Sequence, residues 1–269
     1  MFTKKVKEGL TYLEFERLKQ YGFEVVFTTR LGGFSIPPYE SLNLGLHTDD
    51  KKEHVLKNRA KVYDTLKFNP DNIIYAEQIH SNDIRLVTTD DKGKGIRDHN
   101  NSIKNMDGLI ATKKDMILGG HFADCVPIYI MDKDKGYFSL IHSGWKGTYQ
   151  EILTKTLNFF KDSLASKDED LLVVLGPSIS KNNYEVGFDL INKFKEKFAF
   201  PPSYFEQIDN NYFLDLKELN RLIALENGIL NKNLFVSKLC TYKNKNLFYS
   251  YRRDQGKTGR MAAFISLLS

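Results

Sequence analysis

Residues Asp124 to Thr148, DCVPIYIMDKDKGYFSLIHSGWKGT, constrain this chain more than any other stretch. Val126 to Met131 is a short apolar run, Asp132-Lys133-Asp134-Lys135-Gly136 is a charged turn ending in glycine, and Tyr137 to Ile141 is a second apolar run. Two such runs around a polar, glycine-bearing turn predict a β-hairpin. A hairpin places residues far apart in sequence across from one another, so its open end brings Cys125 beside His142. A thiol next to an imidazole is either a nucleophile with its base or two ligands of a soft-to-borderline metal ion. The stretch alone leaves both open.

The chain has 269 residues, 41% of them apolar, which is enough for a full hydrophobic core. No run approaches eighteen apolar residues, and MFTKKVKEGL is charged without an apolar stretch. Neither a membrane span nor a secretory signal is expected, and a cytoplasmic location is. Only two cysteines occur, Cys125 and Cys240, a number that favours chemical use of one thiol over a disulfide framework. The formal charge of +5 is spread along the chain. That distribution suits anionic small molecules and gives no footprint for nucleic acid.

Phe23 to Thr29 reads as a buried strand ending at Arg30-Leu31-Gly32-Gly33, followed by a loop stiffened by Pro37-Pro38. Glu53 to Phe68 carries a helical stripe stopped before Pro70. Asn72 to Ala76, Ile84 to Thr88, Asp107 to Thr112 and Met116 to Phe122 read as strands, and Asp90 to Asn105 as an exposed, mobile loop. A helix is predicted from Gly144 to about Leu164, its N-terminal N–H groups directed at the site. Leu171 to Leu175 is a strand, while Val186 to Phe198 and Leu214 to Leu225 are amphipathic helices. Leu234 to Leu239, Leu247 to Tyr251 and Met261 to Leu268 complete the strands. Hairpins mixed with strand-helix alternation predict an α+β fold, a single domain over residues 1–269 with mixed β-sheets flanked by helices.

Two histidines, His80 and His142, each end a strand-like run and each precede a serine. With Cys125 they offer one thiolate and two imidazoles, a set that suits zinc and leaves a fourth tetrahedral position for chemistry. The strings TTRLGG, PYESLNLGLHTDD, EQIHS, MDGLIAT, ADCVPI, IHSGWKGT, GPSIS with YEVG, LCT, and FYSYRRD with TGR occur in this order from about residue 28 to 260. In this the chain resembles the YfiH or laccase-domain family of purine nucleoside phosphorylases. The resemblance implies Zn2+ at His80, Cys125 and His142, and purine nucleosides and phosphate as small-molecule partners. It implies phosphorolysis of adenosine, inosine, guanosine and methylthioadenosine, together with adenosine deamination. It also implies a fold similar to that of a deamidating, cytotoxic necrotizing factor-like cysteine hydrolase. The chain departs from the family at Ser143 and Lys146, where alanine and arginine are usual; lysine keeps the cation and loses the planar fork.

Arg30 and Lys146, with Arg252 and Arg253, are candidate phosphate cations. Asp124 is a candidate to orient an imidazole or move a proton, and the amides of Asn43 and Gln78 to read a ribose or base edge. His47 is placed at the pocket and His121 beside the ligands, whereas His54 and His99 fall in charged stretches expected to be exposed. Cys240 is assigned to packing, and Trp145 and Phe34 are rings able to stack on a purine. Three rival readings compete. A metal-free Cys125–His142 hydrolase needs no His80. A laccase-like polyphenol oxidase would use Cu2+, which thiolate and imidazoles also bind. The third is a non-enzymatic scaffold, for which a homodimer is a natural form.

Overall fold

The predicted hairpin forms the middle of a six-stranded sheet in the computed structural model, which describes residues 1–268. Strands Val126–Asp132 and Tyr137–Ser143 pair antiparallel, with Pro127 opposite His142 and Val126 opposite Ser143. Every residue of the first strand is buried. Val126, Ile128 and Ile130 join one apolar cluster, and Tyr129 and Met131 the other. A strand covered on both faces requires a nearly continuous apolar run, as here. Leu171–Leu175 and then Leu234–Val236 extend the sheet on one side, Gly108–Ala111 and then Ile84–Leu86 on the other. Both outermost pairs are parallel.

A second six-stranded sheet runs in the order Thr3–Lys7, Leu10–Glu14, Phe23–Thr28, Met261–Leu267, Ile117–Phe122, Ile73–Tyr75. The two sheets pack face to face, with Phe27, Leu118 and Phe122 of one against Tyr129, Phe138 and Leu140 of the other. Each such side chain, fully withdrawn from water, stabilises the fold by about 1.5–3 kcal/mol. Helix Lys52–Leu66 covers the outer face of the second sheet through Val62 and Tyr63. Ile152–Asn158, Phe188–Lys197 and Leu216–Glu226 cover the outer face of the hairpin sheet. Three short strands, Glu185–Val186, Phe205–Ile208 and Asn211–Leu214, form a small third sheet. The architecture is α+β with mixed sheets flanked by helices. Among the described residues, no helix is long and apolar enough to cross a membrane.

Several boundaries differ from the sequence reading for physical reasons. Leu247 to Tyr251 is not a strand: it lies in a turn where Arg253 donates to the Phe248, Thr241 and Tyr242 carbonyls. The predicted helix from Val186 begins at Phe188, because Glu185 and Val186 pair with Asn211–Leu214. That from Leu214 begins at Leu216 because Asp215 caps it, accepting from the Glu218 N–H. Leu234 to Leu239 shortens to Leu234–Val236. The helix from Gly144 is broken. Trp145–Tyr149 ends before Glu151, which adopts φ +59°, and the chain resumes as Ile152–Asn158. The Gln150 carbonyl at the break accepts from the Asn82 amide, and a five-residue helix leaves little of the predicted N-terminal field. Nor is Asp90 to Asn105 an exposed loop. Asp91, Ile96 and Ile103 are buried, and the buried Arg59 guanidinium donates to the Gly95 and Ile96 carbonyls at 2.7 and 2.8 Å. Strands Thr3–Lys7 and Leu10–Glu14 were hidden by the polar composition of an edge hairpin.

Candidate metal centre

The hairpin does what its register requires. Cys125 immediately precedes the first strand, and His142 lies one residue from the end of the second. His80 arrives on the loop joining Ile73–Tyr75 of one sheet to Ile84–Leu86 of the other. The ligand-type atoms of His80, Cys125 and His142 all lie within 4.8 Å of one another. Cys125 Sγ is 3.9 Å from His80 Nε2, and the two imidazole centroids are 4.7 Å apart at 77°. Gly144 forms the floor. A Cβ there would lie 2.9 Å from Cys125 Sγ and 3.1 Å from His80 Cδ2, so a side chain would occupy the space in which the ligands meet. His142 is buried, Cys125 half-buried and His80 exposed, which leaves the centre open on one side.

Asp107, to which sequence reasoning assigned no role, organises two of the three candidate ligands. Its carboxylate accepts from His142 Nδ1 at 2.7 Å and from the N–H groups of Ile79, His80 and Ser81 at 3.1, 3.0 and 2.7 Å. The Ser81 hydroxyl adds a further donor. The chain reverses there with positive φ at Gln78 (58°) and His80 (64°), wrapping successive N–H groups around one anion. His142 therefore holds its Nδ1 proton toward Asp107 and turns Nε2 to the centre, as metal-ligating histidines do. The available sequence signal was an aspartate directly ahead of the apolar run Gly108 to Ala111, a position that folding buries.

These neighbours set the charges. Burial pushes the Cys125 thiol up, but the charge and hydrogen bond of His142 and the contact with His80 outweigh it and bring it down to about 6. Burial pushes His142 down, while the Cys125 thiolate and Asp107 overcome this and raise it to about 10. Burial also opposes the ionised form of Asp107, yet His142 and the turn N–H groups hold it below the ordinary carboxylate range. Without metal, the pair at neutral pH is thiolate and imidazolium.

The other sequence candidates have different surroundings. Asp124 contacts no imidazole: its oxygens accept from Thr241 Oγ1, Ser250 Oγ and the Arg252 N–H at 2.6, 2.9 and 2.8 Å. Its strained φ of +95° starts the turn into Cys125, so it ties the 241–252 segment to the ligand strand. The Asn43 amide is committed to Thr48, Asp50, Gly45 N–H and Arg260 N–H, and that of Gln78 to the backbone of His121. Arg30 pairs with Glu40 and stacks over Tyr249. Lys146 is exposed, its ammonium 5.7 Å from the centroid of its neighbour Trp145. Phe34 lies over Lys61, packed beside a different helix. Ser143 keeps its buried hydroxyl satisfied through Thr148 and Asn220. His99 is half-buried and lies 5.3 Å from His47, ring to ring. The Cys240 sulfur is buried and accepts from Ser180, Asn183 and Lys243.

A double β-sheet body carrying a half-open His-Cys-His centre at one corner defines a laccase-domain, YfiH-like protein. A family model described as multi-copper polyphenol oxidoreductase laccase matches residues 24–268, and the chain belongs to that family. It is 38% identical over 272 residues to purine nucleoside phosphorylase YlmD of Bacillus subtilis, covering 99% of this chain and 97% of that protein. The namesake from Geobacillus stearothermophilus is 37% identical, with 88% of each chain covered. Among solved structures, the Bacillus licheniformis hypothetical protein YfiH superposes with a TM-score of 0.93 at 36% identity over 98% of both chains. YlmD from Geobacillus stearothermophilus gives 0.93 at 34%, covering 100% of this chain and 99% of that one.

Proposed function

We propose that the chain is a zinc-dependent purine nucleoside phosphorylase, a single catalytic domain acting on adenosine, inosine, guanosine and methylthioadenosine and also deaminating adenosine. The observation that carries this reading is the convergence of His80, Cys125 and His142 within 4.8 Å. The names of relatives such as the 38%-identical YlmD support nucleoside and phosphate as substrates. One thiolate and two imidazoles fit zinc, and the open side fits a catalytic rather than a structural ion. Zinc held there would supply Lewis acidity beside the bound nucleoside.

The chain's own contribution is positional. Asp107 fixes the His142 tautomer and the His80 turn together, and Gly144 keeps the floor clear. In phosphorolysis a phosphate oxygen bonds to ribose C1′ as the C1′–N9 bond breaks. The electron pair leaves with the purine, and the proton of hydrogen phosphate ends on the base. Copper, named in the family description, also binds thiolate and imidazole. A mononuclear plus a trinuclear copper set, however, needs more ligands than the one three-residue group found among the described residues. The proposed setting is the cytoplasm, in keeping with two free cysteines.

A metal-free Cys-His hydrolase is the second reading. It is favoured by the lowered Cys125, the raised His142 and the Asp107 carboxylate behind the ring, which together resemble a nucleophile, base and orienting group. Base release from inosine, measured with and without phosphate and after chelation, separates the two. The phosphorylase reading predicts release that needs both phosphate and metal and returns with added zinc. Release that survives chelation without phosphate overturns it, and retention of that activity in H80A then supports the hydrolase.

A further inference from the structure

A second polar cluster adjoins the metal centre. His47 has its ring centroid 5.3 Å from that of His99 and 5.6 Å from that of His121. Arg260 packs against the same corner: a Cβ on Gly45 would lie 2.8 Å from Arg260 Cγ and 3.3 Å from His47 Cε1. Arg260 directly precedes Met261, which pairs with Phe122, and the Phe122 ring lies 5.4 Å from that of His142. Arg260 therefore adjoins both the histidine cluster and the strand end that leads to the candidate metal ligands.

Three other arginines of this region are committed. Arg30 is paired with Glu40, Arg253 with Asp254 and three carbonyls, and Arg59 with three carbonyls and His121 Nε2. Arg252 is exposed, lies over the Tyr184 ring and donates to the Glu185 carbonyl. Arg260 is half-buried, and its Nη1 donates to the Thr258 and Gly259 carbonyls at 2.7 and 3.0 Å. Among the described residues it has no carboxylate partner, and its Nε and Nη2 meet no acceptor. A guanidinium drawn out of water without a counter-anion is costly, and its Nε–Nη2 edge is the fork that grips a tetrahedral oxyanion through two hydrogen bonds.

We propose that Arg260, flanked by His47, forms the subsite for a phosphate oxyanion beside the metal centre, inorganic phosphate being the occupant in the phosphorylase reading on which this inference rests. The sequence candidates Arg30 and Lys146 are then not the phosphate grip. The Arg260 main-chain N–H, bonded to Asn43 Oδ1, holds the residue in place whatever its side chain.

The test compares zinc-loaded wild type, R260Q and R260K. Steady-state base release yields the KM for inorganic phosphate and for inosine, and titration calorimetry with inorganic phosphate reads binding directly. The expected result is a phosphate KM raised at least tenfold in R260Q, an inosine KM within twofold of wild type and unchanged zinc content. R260K, which keeps the charge without the fork, gives an intermediate phosphate KM and carries the test should R260Q not fold. A phosphate KM within twofold of wild type in both variants overturns the proposal. Phosphate binding by wild type that R260Q loses, with no base release by either, keeps the subsite and sinks the phosphorylase reading. Absence of phosphate binding by wild type overturns the subsite. If R260Q loses competition by adenosine 5′-monophosphate while its phosphate KM is unchanged, the anion belongs to a nucleotide and the inorganic-phosphate assignment fails.

Discussion

Asp107 accepts four hydrogen bonds from the 79–81 turn and a fifth from His142. Exchange for asparagine would put an amide NH2 against N–H donors, leaving them unpaired while removing the charge that holds His142 in its tautomer. Loss of a carboxylate behind a metal-ligating histidine costs about 10–100-fold in metal affinity. D107N is expected to fall in that range in competition with a chromophoric chelator, and unchanged affinity would show that the carboxylate is not what orients the ligands. Protonation gives a second prediction. In the metal-free protein Cys125 titrates at about 6 and His142 at about 10. Between those values the thiolate is ready to bind, but His142 Nε2 carries a proton that zinc must displace. Lower pH favours the protonated ring, so apparent zinc affinity rises about tenfold per pH unit between pH 7 and 9. A flat profile in the same competition assay would contradict the ion pair. Sequence made Cys125, His80 and His142 visible because thiol and imidazole announce their chemistry. It did not expose Asp107 or Arg260, since an aspartate before a strand and an arginine after a turn gain their roles only from partners distant in the chain.

The hairpin of Val126–Asp132 and Tyr137–Ser143 was legible because its signals, apolar runs and a charged glycine turn, are local. Leu247 to Tyr251 misled for the opposite reason. Its Phe248 and Tyr249 are buried, but the Phe248 carbonyl accepts from Arg253 and the Tyr249 N–H meets the Met261 sulfur rather than a neighbouring strand's carbonyl. The 90–105 segment looked mobile through its polar composition, yet Arg59, on helix Lys52–Leu66, pins it from beneath through Gly95 and Ile96. Arg59 also stacks over Tyr75 and bonds His121, so one side chain joins helix, strand and loop. R59A is expected to lower unfolding free energy by about 3 kcal/mol, since it strips charged hydrogen bonds from buried carbonyls. Urea unfolding checks the magnitude. Limited proteolysis should place the new cleavage in residues 90–105, and cleavage confined to other segments would show that Arg59 does not hold this one.

Across the whole molecule, the two packed sheets explain why the centre exists. Cys125 and His142 come from one sheet, and His80 from the crossing between the two. The three side chains therefore converge only when both sheets pack on their shared core of Phe27, Phe122, Tyr129 and Phe138. The layered α+β arrangement was inferable from the mixture of hairpins and amphipathic helices. The pairing of Met261–Leu267 with both Phe23–Thr28 and Ile117–Phe122 was not, because nothing local marks a C-terminal strand for insertion between earlier ones. One ion shared by one sulfur and two imidazoles is what this convergence requires of the proposed chemistry. X-ray absorption fine structure at the zinc edge of the zinc-reconstituted protein tests it directly. One sulfur at about 2.3 Å and two imidazole nitrogens at about 2.0 Å are expected, with the sulfur shell lost in C125S. A wild-type spectrum without sulfur, or one unchanged in C125S, would contradict it.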